Sequence, residues 1–295
     1  MKKILFSIII AFMVNTMASA ITINGITYAI TAGDGPTVLV ASCSCSGSVE
    51  IPAQVTWDNV TYKVASIGSG AFKDCTGVTN VTIAEGVEGI GSMAFQGCTG
   101  LTSVTIPGSI TTIENMAFDG CVNLTDVTIP GSVTRIGDAA FRGCKGLTSI
   151  VFPESVTYIG YIAFQDCINL NSITFGNAMM SITNEAFDGC SNVKSVTFLG
   201  VMPINDNTFK GLGTAESPVA LRLPSLWPKN DKPVNSTTPW HGGYFNCEYV
   251  DPVKEFLGSL GTEQEGNAVE VIQGDKKVIL YNPDKVNFIK ITTEE

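Results

Sequence analysis

The sequence predicts a solenoid of 23-residue coils, each with one strand of a parallel sheet and a short helical or 3-10 turn, with β-rich caps at both ends. Two periodic files carry this expectation. Phe72, Phe95, Phe118, Phe141, Phe164 and Phe187 recur every 23 residues, and Cys75, Cys98, Cys121, Cys144, Cys167 and Cys190 recur at the same interval. Self-similarity at a period in the twenties is what a stack of identical supersecondary units leaves in a sequence, because one unit cannot bury its apolar face alone. A third observation supplies the strand. Leu101-Thr-Ser-Val-Thr-Ile106 ends in an alternation of apolar and polar residues, repeated as Val78/Val81/Ile83, Leu124/Val127/Ile129, Leu147/Ile150/Phe152, Leu170/Ile173/Phe175 and Val193/Val196/Phe198. Alternation with period two places one face inward.

The chain opens with Lys2 and Lys3, an eleven-residue apolar run from Ile4 to Val14, and the small residues Ala18-Ser19-Ala20. This is the pattern of a secretory signal over 1–20, cleaved between Ala20 and Ile21. The competing reading is a membrane anchor, but eleven helical residues rise only about 16 Å against a hydrocarbon core of roughly 30 Å. The protein is therefore expected to be exported, to the cell surface, the medium or the periplasm, and not to span a membrane. Removal of Lys2 and Lys3 would leave 15 basic against 27 acidic residues, a net charge of −12. Nucleic acids and anionic lipid surfaces both require a basic footprint, so neither is an expected partner.

Residues 21–48 read as an N-terminal β cap, with Asn24-Gly25 between alternating apolar residues as a hairpin turn. The solenoid follows over 49–214, its first coil lengthened by nine residues within 53–66. Pro107, Pro130 and Pro153 each end the strand of their own coil by withholding an N–H. Ser69, Ser92, Asn115, Asp138, Tyr161 and Asn184 lie three residues before each Phe, and five of the six suit a helix N-cap. Ala precedes every Phe, as expected where a neighbouring coil leaves no room for more. Gly77, Gly100, Asn123, Gly146, Asn169 and Asn192 lie two residues after each Cys and are expected to take the left-handed conformation. Phe209 follows after 22 residues, with Leu212 in the place of Cys. Residues 215–252 read as a C-terminal cap, in which Trp227, Trp240 and Phe245 either plug the open core or line a pocket. Residues 253–295 lack the repeat and read either as a small β appendage, with strands around Gly274-Asp275 and Asn282-Pro283, or as a signal for passage across an outer membrane.

The segment LTDVTIPGSVTRIGDAAFRGC at 124–144 and its neighbours resemble the BspA-like leucine-rich repeat of bacterial surface proteins, because strand, Ile-Gly, Ala-Phe and Cys fall in register over about 49–214. The resemblance implies a curved leucine-rich-repeat solenoid and a role in adhesion to host proteins or other cells. Glu114 and Thr183 depart from it where Gly follows Ile, and Met179-Met180 replace the usual Ser-Val.

Catalytic chemistry is not indicated. The single histidine, His241, has no nucleophile motif beside it, and no zinc, phosphate-loop or calcium pattern occurs. Glu85 and Glu88 read as surface carboxylates. No cofactor or metal is expected. The cysteine file stacks thiols in single line at about 4.8 Å, whereas a zinc site needs convergent ligands and a disulfide needs closer Cβ atoms. Small apolar filler with raised pKa is the first reading, occasional neighbouring disulfides the second. Outside the file, Cys43 and Cys45 share one face, where a bridge would be strained, and Cys247 sits in the opposite cap.

The candidate binding surface is the concave face of the sheet, where the outward residues are Thr79, Asn80 and Thr82; Thr102, Ser103 and Thr105; Thr125, Asp126 and Thr128; Thr148, Ser149 and Val151; Asn171, Ser172 and Thr174; Lys194, Ser195 and Thr197. Such hydroxyls suit an extracellular or cell-surface protein, or a glycan, bound by a monomer. Thr also suits any exposed strand position. A glycan reading calls for exposed aromatics beside these hydroxyls, and Trp57, Trp227 and Trp240 lie outside the columns.

Overall fold

The computed structural model describes residues 20–31, 35–177, 179, 181–200, 208–214 and 217–224, and the backbone of the strands at 245–250, 268–273 and 276–281. The expected solenoid is present, and each coil contributes not one strand but two. The first strand is the alternating segment: Gly47–Ile51, Val78–Ile83, Ser103–Thr105 and Asp126–Val127 form one parallel group, and Ser149–Val151, Ser172–Phe175, Ser195–Phe198 and Val219–Pro224 form a second, with Phe245–Val250 bonded at its edge. The second strand is only two residues long: Gly89–Ile90, Thr112–Ile113, Arg135–Ile136, Tyr158–Ile159 and Ser181–Ile182 pair in parallel from coil to coil. Its Ile is buried in every coil while its partner residue points outward. A two-residue strand is below the length at which alternation can be seen, so this second sheet was not expected.

The second sheet begins in the N-terminal cap. Ala20–Ile23 and Ile26–Ile30 form an antiparallel hairpin turned by Asn24 and Gly25 at φ 51° and 79°. Ile26–Ile30 then pairs with Thr37–Cys43, which runs parallel to Val60–Ile67. The nine extra residues of the first coil fold as a second hairpin: Gln54–Trp57 lies antiparallel to the start of Val60–Ile67, across Asp58 and Asn59 at φ 50° and 61°. Paired positive φ values are those of the two-residue turn that matches strand twist.

The core is a row of stacked rings. Consecutive centroids from Phe72 to Phe187 are separated by 4.9, 5.2, 5.2, 5.1 and 5.4 Å. From the fifth coil a second row starts where earlier coils hold Ile83, Ile106 and Ile129. Phe152, Phe175 and Phe198 stack at 5.3 and 4.8 Å and meet the first row edge-on, as Phe175 meets Phe187 at 82°. Edge-to-face and offset-stacked contacts are the favoured geometries for aromatic quadrupoles.

The return that carries Ala-Phe is a chain of tight turns; among the described residues there is no helix. Two left-handed positions per coil prevent one. The first lies two residues before Phe, at Gly70, Met93, Met116, Ala139, Ile162 and Glu185; the second lies before Cys, at Asp74, Gly97, Gly120, Gly143, Asp166 and Gly189. The residues two after Cys are not left-handed. Asn123, Asn169 and Asn192 instead donate Nδ2 to the carbonyls of Thr99, Lys145 and Ile168 in the preceding coil, at 2.8, 2.8 and 2.7 Å. The residues expected as N-caps also act between coils: Asn115 Oδ1 accepts the Asp138 N–H at 2.8 Å, and Asp138 Oδ1 the Tyr161 N–H at 2.9 Å. Backbone amides follow suit, with Phe95 N donating to Ala117 O and Phe118 N to Ala140 O, each at 2.8 Å. An extended ladder between coils thus replaces the i→i−4 bonds of a helix. Pro107, Pro130 and Pro153 each lie just past the first strand and open a turn, their carbonyls accepting from Ile110, Val133 and Val156.

The chain divides into two compact units, Met1–Glu248 and Tyr249–Glu295. Within the second unit, Ala268–Gln273 and Lys276–Tyr281 form an antiparallel hairpin.

Candidate functional site

The Phe residues at 72, 95, 118, 141, 164 and 187 are fully buried, as are Cys98, Cys121, Cys144, Cys167 and Cys190, while Cys75 at the first coil is half-buried. The thiols do more than fill space. Cys98, Cys121, Cys144, Cys167 and Cys190 donate Sγ–H to the carbonyl of the preceding coil's Phe, at 2.9, 3.1, 3.2, 3.2 and 3.1 Å. Phe118 O, for example, accepts the Cys121 N–H in its own coil and the Cys144 thiol of the next. Both carbonyl lone pairs are then used. Burial pushes the Cys98 thiol up to about 12 from an ordinary 9.0, and raises Cys121, Cys144 and Cys167 for the same reason. A protonated thiol buried among Phe rings is no nucleophile.

Cys43 and Cys45 are joined as a disulfide with Cα atoms 5.4 Å apart. The Cys43 carbonyl accepts the Cys75 thiol at 3.4 Å, standing where a preceding Phe would. Among the described residues, no group of three or more His, Cys, Asp or Glu is placed to hold a metal ion, and no helix is long and apolar enough to cross a membrane. His241, Trp227 and Trp240 lie outside the described residues. Phe245 and Cys247 lie in the strand Phe245–Val250.

The Ser/Thr surface forms three files in strand register. In the first, Thr79, Thr102, Thr125, Thr148, Asn171 and Lys194, two hydroxyls serve the fold: Thr102 Oγ1 donates to Thr79 O at 3.0 Å and Thr125 Oγ1 to Thr102 O at 3.2 Å. The second file is Asn80, Ser103, Asp126, Ser149, Ser172 and Ser195. The third is Thr82, Thr105, Thr128, Val151, Thr174 and Thr197. Apart from Asn80, whose Oδ1 faces Thr102 at 3.2 Å, these two files make no side-chain hydrogen bond among the described residues. Val151 interrupts the hydroxyls as an apolar residue that is 60% exposed. Ser103, Ser172, Thr174, Ser195 and Thr197 are half-buried, whereas the other members of these two files, from Asn80 and Thr82 to Ser149 and Val151, are exposed.

Two features were missed by sequence reasoning. The residue after each Phe forms a polar file in which Asp119, only 6% exposed, receives Gln96 Nε2 at 2.9 Å and a bidentate pair from Arg142 Nε and Nη2, both at 2.8 Å. Its signal in sequence is the succession Gln96, Asp119, Arg142 at the 23-residue period. The other feature is a groove of about 450 Å³ on the second sheet, bordered by Ser66, Glu88, Thr112 and Glu114. One coil further on, the Arg135 guanidinium lies 3.9 Å over the Tyr158 ring, and Tyr161, 48% exposed, donates its hydroxyl to Glu185 at 3.0 Å. Trp57 is likewise 49% exposed, opposite Val60 at the tip of its hairpin.

A family profile described as BspA type leucine rich repeat region matches residues 52–132 and 111–219, in six copies. A crystallographically solved leucine-rich repeat protein from Bacteroides ovatus is 30% identical, with 70% of this chain and 60% of that chain covered and a TM-score of 0.60. The leucine rich repeat protein of T. pallidum is 28% identical over 65% of this chain and 89% of its own, with a TM-score of 0.58. The present chain thus spans 60% of the length of the B. ovatus protein. No curated protein matches.

Proposed function

The chain belongs to the BspA-type leucine-rich-repeat family, and on that premise we propose that it is an exported, non-enzymatic binding protein that holds a protein ligand through its Ser/Thr surface and serves in adhesion to host or cell-surface proteins. A protein-binding role is what a leucine-rich-repeat family suggests. The observation that carries the finer reading is the pair of hydroxyl files from Asn80 and Thr82 to Ser149 and Val151. Their backbone is committed to the sheet, whereas their hydroxyls have no partner within the described residues. Repeated at the coil spacing, they offer an extended macromolecule the same donor and acceptor set several times over, which multiplies individually weak contacts.

Export rests on the N-terminal pattern at 1–20. Buried, protonated thiols are poor nucleophiles, and His241 has no nucleophile motif beside it in the sequence. The test is a binding screen of the purified protein against extracellular-matrix and cell-surface proteins, repeated with Ser103→Asp, Ser149→Asp and Ser172→Asp. A protein hit lost in these variants supports the surface named; a hit indifferent to all three removes it. Protease shaving of intact cells distinguishes surface display from periplasmic retention. A glycan-binding accessory role is the second reading, favoured by the hydroxyl content of the same files.

A further inference from the structure

We propose that the groove on the second sheet is a separate site for a short neutral oligosaccharide. It begins as a by-product of coil packing. The outward file of this sheet runs Ser66, Gly89, Thr112, Arg135, Tyr158, Ser181, in register. Its first three members are small and its next two are large. The parallel file after each Ile runs Gly68, Gly91, Glu114. A Cβ on Gly68 would lie 2.8 Å from Val40 O, and one on Gly91 2.7 Å from Ser69 N, so neither position accepts a side chain. The floor is therefore bare over two coils, and Glu114, which stands where the repeat pattern has Gly, closes it. Gly and Glu in one file make an end wall; Gly throughout would leave a plain furrow.

The polar groups around that floor are available. Ser66, Ser69, Thr111 and Thr112 hydroxyls and the Glu114 carboxylate take part in no side-chain hydrogen bond among the described residues. Glu88 accepts Lys63 Nζ at 2.6 Å on one oxygen and keeps the other. Leu39, half-buried, supplies the apolar flank. Six groups that accept, four of which also donate, arranged beside one apolar side chain match a ligand that carries many hydroxyls on a C–H framework. A volume of about 450 Å³ lies in the range of small-molecule sites. No Lys or Arg lines the groove and the whole chain carries a net charge of −10, so phosphorylated, sulfated or acidic sugars are disfavoured. A protein partner would be anchored by an aromatic or Arg side chain entering a desolvated pocket, and a shallow floor of glycine backbone offers none.

The experiment is a glycan array of neutral and acidic oligosaccharides probed with the purified full chain, followed by titration calorimetry with the neutral oligosaccharide bound best. Variants are Thr112→Tyr, which fills the groove, Glu114→Gln, which removes a charged acceptor, and Ser103→Asp on the other sheet. Thr112→Tyr should fold, because Arg135 and Tyr158 occupy the same file; Glu114→Gln tests the site independently if it does not. Neutral oligosaccharides are expected to bind, with affinity abolished by Thr112→Tyr, reduced about tenfold by Glu114→Gln, and unchanged by Ser103→Asp. Binding of no sugar, of acidic sugars alone, or of a sugar lost through Ser103→Asp but kept in Thr112→Tyr overturns the proposal. A protein ligand displaced by Thr112→Tyr would overturn it equally. Loss of protein ligands through Ser103→Asp concerns the Ser/Thr surface and leaves the groove untouched.

Discussion

The two sheets of the solenoid share one 23-residue period and present opposite surfaces. The outward files of the first sheet repeat Ser and Thr with few exceptions. The outward file of the second changes at each step, from Ser66 and Gly89 through Thr112 to Arg135 and Tyr158. A uniform file offers the same weak contact many times, which suits an extended ligand. A varied file offers one local shape once, which suits a small one. Both rest on the same Phe row, so substitutions can be ranked by whether they disturb the shared core, one coil junction, or one surface.

The largest effect is expected in the shared core. Phe141→Ala removes the middle of the stack and should lower stability by about 3–5 kcal/mol in denaturant unfolding, weakening both surfaces together. Arg142→Ala acts at one junction: it leaves Asp119, nearly buried, with Gln96 alone, and should cost about 1–3 kcal/mol. Arg142→Lys should recover only part, because an ammonium cannot reproduce the bidentate pair. Cys144→Ala removes a thiol donor and a small volume from the row, and about 1 kcal/mol is expected.

The cysteine file also sets a pH limit. The folded Cys98 thiol titrates at about 12 and the ordinary value is 9.0. The raised folded value means that its contribution is complete below 9.0 and is lost as pH climbs from there towards 12. Thermal unfolding should therefore show falling stability across that alkaline interval, less steeply in Cys98→Ala. In native protein at neutral pH a thiol reagent should modify Cys75 first; Cys121 and Cys190 reacting at the denatured rate would refute the buried donor geometry.

Ala139→Gly sharpens the junction from the other direction. Ala139 has φ 53°, a conformation that costs a non-glycine residue roughly 1–2 kcal/mol, so a gain of roughly 0.5–1 kcal/mol is expected after the greater chain entropy of Gly. The smallest effect belongs to Ser149→Asp, within about 0.5 kcal/mol as for other exposed positions. It should alter protein binding without altering folding or oligosaccharide binding.

Reading the sequence was most successful where one residue type answers one demand. Phe, Ala and Cys each recur because the coil above imposes the same volume on them. It failed where geometry is shared by unlike residues. Met93, Met116, Ala139, Ile162 and Glu185 all adopt φ between 48° and 59°, yet have no side-chain chemistry in common, so no pattern announces the turn. The groove was illegible for a related reason: Ser66, Glu88, Thr112 and Glu114 come from three coils, and each taken alone is an ordinary surface residue.

By itself the sequence determined the period, the solenoid, the buried files and the Ser/Thr files, since all of these follow from apolar burial repeated at a constant interval. Tertiary structure alone decided the second sheet, the thiol-to-carbonyl bonds, the Asp119 cluster and the groove. Each of these depends on which atom of one coil faces which atom of the next, a relation set by stacking across 23 residues rather than by any neighbour along the chain.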